Sequence, residues 1–278
     1  MDATAPPVAA PAAGLRLRAA GSRLRRVLRA RLPGFLALVG FILLWQLVIV
    51  VFDPSPILLP GPLPVWQAFV DAVADGSLVR DSVNSFTALA IGLGSALAIG
   101  VPLGLWIGMS PTMNLITSPY LWAFFATPRL ALAPLVIIWA GFELSKVWLV
   151  FLSAVIPVIL SCKDGVLTTD SSLITAARSF GAGRVALFAK VIMPSTLPFI
   201  ASGIRNGISR GLVGLLVVEM LVSGREGIGT SAMRAMRAFD TPRMFAFVLV
   251  IIVAALVLIS LSKWLESYAS RWREEVAL

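Results

Sequence analysis

Long uncharged apolar runs alternate with short breaks of polar, proline or glycine residues, and six runs are candidate membrane crossings: Phe35–Val51, Phe86–Met109, Asn114–Gly141, Val147–Cys162, Leu197–Val222 and Met244–Leu261. About 20 apolar residues rising 1.5 Å each cover a ~30 Å hydrocarbon layer. The third run is interrupted by Pro119, Pro128 and Pro134 and contains Arg129. Each half alone would be about 14 residues, too short to cross, so the pattern predicts one kinked span there. The expected fold is all-α and polytopic, with six transmembrane helices.

The breaks carry their own signals. Phe52–Ser85 holds Pro54, Pro56, Pro60, Pro62 and Pro64 and a short helical pattern around Val65–Ala74. Within the second span, Gly92, Ala96, Gly100, Gly104 and Gly108 recur every fourth residue, and Gly203, Gly207 and Gly211 repeat the device in the fifth. Rows of small residues let a neighbouring helix approach closely.

Composition identifies the solvent. With 58% hydrophobic and 13% charged residues and a mean hydropathy of +0.92, the chain lacks the polar groups to cover a soluble exterior, so lipid is its expected surroundings. The net charge of +9 does not indicate nucleic acid. Seven arginines (Arg16, Arg18, Arg23, Arg25, Arg26, Arg29 and Arg31) precede the first span, as in a cytoplasmic anchor. Residues 1–34 therefore form a basic cytoplasmic tail: an Ala/Pro-rich stretch, then an amphipathic helix after a cap at Ser22, with Leu24, Val27, Leu28 and Leu32 facing the inner leaflet. A charged tail that only sets orientation is the alternative. Residues 35–278 form the transmembrane domain.

Six crossings place this tail and Lys263, Arg271 and Arg273 on one, cytoplasmic, side. The loop 163–196, with Lys163, Arg178, Arg184 and Lys190, falls on the same side. Against the charge rule, the external Ser223–Arg243 loop carries Arg225, Arg234, Arg237 and Arg243. Trp264, Tyr268 and Trp272 form an interfacial belt on the last helix. The single cysteine, Cys162, excludes an internal disulfide and is read as packing.

Candidate chemistry is sparse. The chain has no histidine, no phosphate-binding glycine loop and no nucleophile set, which argues against catalysis, a cofactor or a metal. Asp53, Asp71, Asp75, Asp81 and Glu143 lie in or near external segments, and Glu219 is the one acid deep within an apolar run. An ion-coupled secondary transporter, the alternative reading, usually needs more acidic groups at mid-membrane. Glu219 lies roughly 30 Å along its helix from Pro198. It is expected either to pair at the interface with a loop arginine or to line an external gate. Arg205 can snorkel, whereas Arg210, about 18 Å in, must face protein or a water-filled path and would suit an anion there.

The loop TTDSSLITAARSFGAGRVALFAKVIMPSTLP is the most informative stretch. Thr169 or Asp170 caps a helix running to Phe180, with Leu173, Ile174, Ala177 and Phe180 on one face and Gly181 as a left-handed stop. A second short helix, Arg184–Ile192, ends before Met193 and Pro194. Such a pair is built to insert into a partner's groove.

At these residues the chain resembles the permease subunits of ABC importers, whose cytoplasmic signature reads EAA-x3-G-x9-I-x-LP. Ala176, Ala177, Gly181 and Pro194 match it, Val191 and Met193 are conservative replacements, and Thr175 stands where the signature has glutamate. The segments beginning SPILLPGPLPVWQAF, TPRLALAPL and GIRNGISRG are similar to the nitrate/sulfonate/taurine-type permeases. The resemblance implies a type I importer fold in a bacterial inner membrane, with cytoplasmic coupling helices that dock on separate ATPase subunits. It also implies a second permease copy and an extracytoplasmic substrate-binding protein, while ATP hydrolysis belongs to the partner.

Overall fold

The computed structural model describes the backbone of residues 13–221 and 226–269, with side chains for most of these from residue 32 onward. Every regular element among them is helical. The chain divides into two compact units, Met1–Leu63 and Pro64–Leu278.

In the first unit, α1 (Ala13–Phe52) is one unbroken helix through Pro33. The separate helix expected after Ser22 is therefore continuous with the first span. At 1.5 Å per residue α1 is about 60 Å long, so a single rod holds both the basic and the apolar stretch. Beyond it, Trp45 Nε1 donates to the Pro60 carbonyl at 3.1 Å.

The second unit begins in α2 (Pro62–Ala74), followed by α3 (Ser77–Met109). α3 starts well before the expected Phe86, because the polar residues of its first turns, Asp81 and Ser85, are buried and bonded. Among the described residues five helices are long and apolar enough to cross a membrane. The single kinked third span over Asn114–Gly141 is not formed. Instead α4 (Pro111–Ala126) stops at Thr127, a 3-10 turn covers Arg129–Leu132, and α5 (Ala133–Leu167) begins, with non-helical Gly141 (φ 73°) inside it. Pro128 disfavours helical backbone at Thr127, which is extended (ψ 132°). α4 alone is about 24 Å long, so residues 111–140 make this passage in pieces.

α5 lies between α3 and α8 (Met193–Leu221), and the glycine rows explain why. A Cβ added at Gly92, Gly100, Gly104 or Gly108 would lie 2.6 to 2.9 Å from Val150, Val158, Cys162 or Val166, successive residues on one stripe of α5. α8 meets α5 with the second row: added carbons at Gly203, Gly211 and Gly214 would touch Ser161, Val150 and Ser153, and one at Gly207 would touch Leu93 of α3 and Val158. Small residues on α3 and α8 thus allow the three helices to pack closely on one another, with Val150 and Val158 meeting both rows and α5 buried along most of its length. Cys162, fully buried on Gly104, belongs to this packing.

Between α5 and α8 lie α6 (Ser171–Ser179), α7 (Arg184–Leu187) and a π turn over Phe188–Ile192. The second short helix was expected to end before Met193; it continues through the π turn into α8. Pro194 sits at the second residue of α8, where the wide turn tolerates a residue that cannot donate. The loop Ser223–Arg243 contains a helix, α9 (Ile228–Arg237), whose Ile228 and Ala232 pack with Ala72, Leu78 and Phe247. Phe247 lies on α10 (Thr241–Ala269). The Ala/Pro-rich stretch, Arg225, the side chain of Tyr268, and Trp272 lie outside the described residues.

Candidate functional site

Three clusters of side chains are distinguished by geometry. The first is the loop around α6. Asp170 Oδ1 accepts from Ser172 N at 2.8 Å, capping the helix. Gly181, with φ 78°, ends it in the left-handed region where a Cβ is disfavoured. Ile174 and Ala177 pack against Leu105, Val166, Leu187 and Ile192, as do Val191 and Met193. Phe180 and Val185, 92% and 81% exposed, point away from that core. Thr175 spends its hydroxyl on the Ser171 carbonyl at 2.9 Å. The expected common face is thus split: Ile174 and Ala177 hold the loop to the bundle, while Leu173 and Phe180 remain exposed.

The second cluster occupies the middle of the bundle. Arg129, beyond the break after α4, directs Nη2 to the Phe125 carbonyl at 3.1 Å and Nη1 to the carbonyls of Leu152 and Ser153 at 3.3 and 3.1 Å. These acceptors are available for definite reasons. Phe125 lies at the C-terminal end of α4, where carbonyls have no helical partner, and Ser153 lies four residues before Pro157, which has no N–H to offer it. Arg129 therefore joins a broken helix end to a proline gap. Neutral carbonyls fix the guanidinium but cancel none of its charge. Arg210 of α8 lies near: its guanidinium carbon is 5.6 Å from the Phe125 ring centroid, and that of Arg129 is 5.8 Å from the same centroid. Among the described residues no carboxylate lies within ion-pairing distance of either arginine. Arg205, by contrast, is neutralised by Glu266 of α10.

The third cluster lies at the end of the bundle opposite the α6–α7 loop. Glu219 is fully buried, and the cation described beside it is Lys146 of α5, while Arg225 of the loop lies outside the described residues. Ser85 Oγ donates to its Oε1 at 2.6 Å, Gly229 N to its Oε2 at 2.8 Å, and Lys146 Nζ lies 3.8 Å from Oε1. Lys146, also buried, donates to Asn84 Oδ1 and to the Glu226 carbonyl, each at 2.6 Å. Asp81 accepts from Gly227 N at 3.2 Å and from the Ser231 hydroxyl. Four helices, α3, α5, α8 and α9, are tied here by one network. It leaves no room beside it, since a Cβ at Gly227 would sit 2.5 Å from Glu219 Oε1.

Sequence reasoning singled out Arg210 and Glu219 but not their neighbours. In the sequence Arg129 interrupts an apolar run, and a basic residue beside Pro128 in such a run is itself a signal. Asp81 falls in an external segment by hydropathy, and Lys146 carries no signal of its own in the sequence. Among the described residues no group of His, Cys, Asp and Glu could hold a metal ion.

Comparison with known proteins adds the following. The family model described as "binding-protein-dependent transport system inner membrane component" matches residues 100–273. The chain is 32% identical to the taurine transport system permease protein of Escherichia coli strain K12 over 228 residues, covering 80% of this chain and 82% of that one. It is 27% identical to the formylaminopyrimidine transport permease protein of Halalkalibacterium halodurans over 222 residues, 80% and 88% of the two chains.

Proposed function

The chain belongs to the family of binding-protein-dependent transport system inner membrane components, and from that premise we propose that it forms, as two identical copies, the membrane path for a small anionic solute. The chain is the membrane permease of an ABC importer, and its family works with an ATPase and a substrate-binding protein. In our reading the α6–α7 loop and both termini face the cytoplasm, Leu173 and Phe180 enter a groove of the ATPase, and Arg210 lines the path. One relative is named for the transport of taurine, a compound with a sulfonate group, which supports a solute with an oxyanion head.

The observation that carries the proposal is the form of the loop. Its inner face is fixed to the bundle through Ile174 and Ala177, its outer face presents Phe180 and Val185 without an intramolecular partner core, and its far end runs unbroken through the π turn into α8. A displacement applied at Phe180 is therefore delivered to the helix that bears Arg210 and Glu219. ATP-driven closure of the ATPase pair would draw two such loops together, and the Glu219–Lys146 network at the other end is the tie that must rearrange when the path opens outward.

Affinity capture of the tagged full-length protein from membranes tests the coupling. An ATPase subunit is expected to co-purify, and Phe180→Asp is expected to reduce its recovery at least about tenfold while the permease itself remains folded, because Phe180 makes little contact within the chain. Absence of any co-purifying ATPase overturns the reading.

A further inference from the structure

We propose that Arg129 and Arg210, both beside the Phe125 ring, form an anion-binding station midway along the path, a site for a small solute with a sulfonate or similar oxyanion head. The inference rests on the transport reading above and specifies where within the chain the solute pauses.

Position and charge carry the inference together. Arg210 lies roughly 26 Å from the start of α8, a helix about 43 Å long, so it cannot reach either surface by extending its side chain. Arg129 is held at the break after α4 by three carbonyls, on Phe125, Leu152 and Ser153. A guanidinium has five N–H donors, so about two of those on Arg129 are uncommitted once these bonds are made. Arg210 lies over the same Phe125 ring, 5.6 Å from its centroid, and is exposed. Two guanidiniums beside one ring, with no carboxylate within ion-pairing distance among the described residues, make a setting that an anion completes. Arginine suits the task because its planar fork meets two oxygens of a sulfonate or carboxylate at once, and it is less strongly hydrated than lysine. Placement on separate elements adds a consequence. Arg129 is fixed to α5, whereas Arg210 rides on α8, the helix joined to the cytoplasmic loop. Motion of α8 relative to α5 separates the two guanidiniums and so weakens the site when the solute must leave.

Trp122 provides the readout, since it packs edge-on against Phe125 with ring centroids 5.7 Å apart. The full-length protein is placed in lipid nanodiscs with its co-purified ATPase and titrated with ethanesulfonate, and with uncharged ethanesulfonamide as the control. Trp122→Phe identifies that residue's share of the fluorescence. Saturable change with the sulfonate and none with the sulfonamide is expected. Arg210→Gln should weaken the apparent affinity about tenfold or more, and Arg210→Lys should fall between. Arg129→Lys, which keeps the charge but not the fork, should weaken it as well. The proposal is overturned if sulfonate and sulfonamide act alike, or if Arg210→Gln binds as the native protein does. Retention of the ATPase separates the two readings: if it co-purifies but the sulfonate response is absent, the station fails and the coupling reading stands.

Discussion

Arg129 occupies the hydrogen-bonding position that Pro157 leaves empty on α5, its Nη1 donating to the Ser153 carbonyl at 3.1 Å. A proline inside a helix strands the carbonyl four residues earlier, and no water is available in a hydrocarbon layer to satisfy it. The stitch is thus structural as well as electrostatic. Arg129→Leu should lower the thermal unfolding temperature of the purified protein by several degrees, since hydrogen bonds from charged donors contribute about 1.5–3 kcal/mol each. Arg129→Lys should recover part of the loss. Unfolding of the leucine variant at the native temperature would refute the role.

The Glu219–Lys146 network makes a sharper prediction. Glu219→Gln removes the charge opposite buried Lys146 and leaves one of the two donors, Ser85 Oγ or Gly229 N, facing an amide N–H. Breaking one partner of a buried pair costs about 3–5 kcal/mol. In a double-mutant cycle read by denaturant unfolding, Lys146→Met combined with Glu219→Gln should cost less than the sum of the two single changes. Strict additivity would show that the two groups do not interact.

Two glycines of α3 serve as test and control for the helix packing. An added Cβ at Gly104 would sit 2.6 Å from the Cys162 Cβ and from the Ile159 carbonyl, whereas at Gly94 nothing lies within 4 Å. Gly104→Ala should therefore destabilise by about 2 kcal/mol or more through forced separation of α3 and α5. Gly94→Ala should be neutral or gain up to about 1 kcal/mol from helix propensity. Equal effects in thermal unfolding would show that the row is not a contact seam.

A weak pH dependence is expected at the turn between α2 and α3. The side-chain and backbone hydrogen bonds from Ser77, helped by the neighbouring Arg243, lower the Asp75 carboxyl to about 2. A folded-state value below the unfolded one means that the stabilisation is full above about pH 4 and is lost as pH falls through about 2. Because both side chains are well exposed, its size is under about 1 kcal/mol. Asp75→Asn should be slightly less stable than the native protein at pH 7, and the difference should shrink below pH 4. A difference that stays constant with pH would rule out the carboxylate as its source.

The sequence by itself determined the all-helical membrane fold and most of the spans, because apolar runs and glycine rows are local patterns that hold wherever the chain sits. It also determined the form of the α6 loop: a cap at Asp170 and a stop at Gly181 act on their own neighbours. Only the tertiary structure decided which charges are compensated. Asp81 meets Ser231, Lys146 meets the Glu226 carbonyl, and Arg129 meets a carbonyl freed by Pro157, all across long stretches of chain. Hydropathy reads each of these charged residues as a loop or an interruption, since it counts what a side chain would cost in lipid when alone. Folding supplies the partner and removes that cost for Asp81 and Lys146, whereas Arg129 and Arg210 have no carboxylate within ion-pairing distance among the described residues.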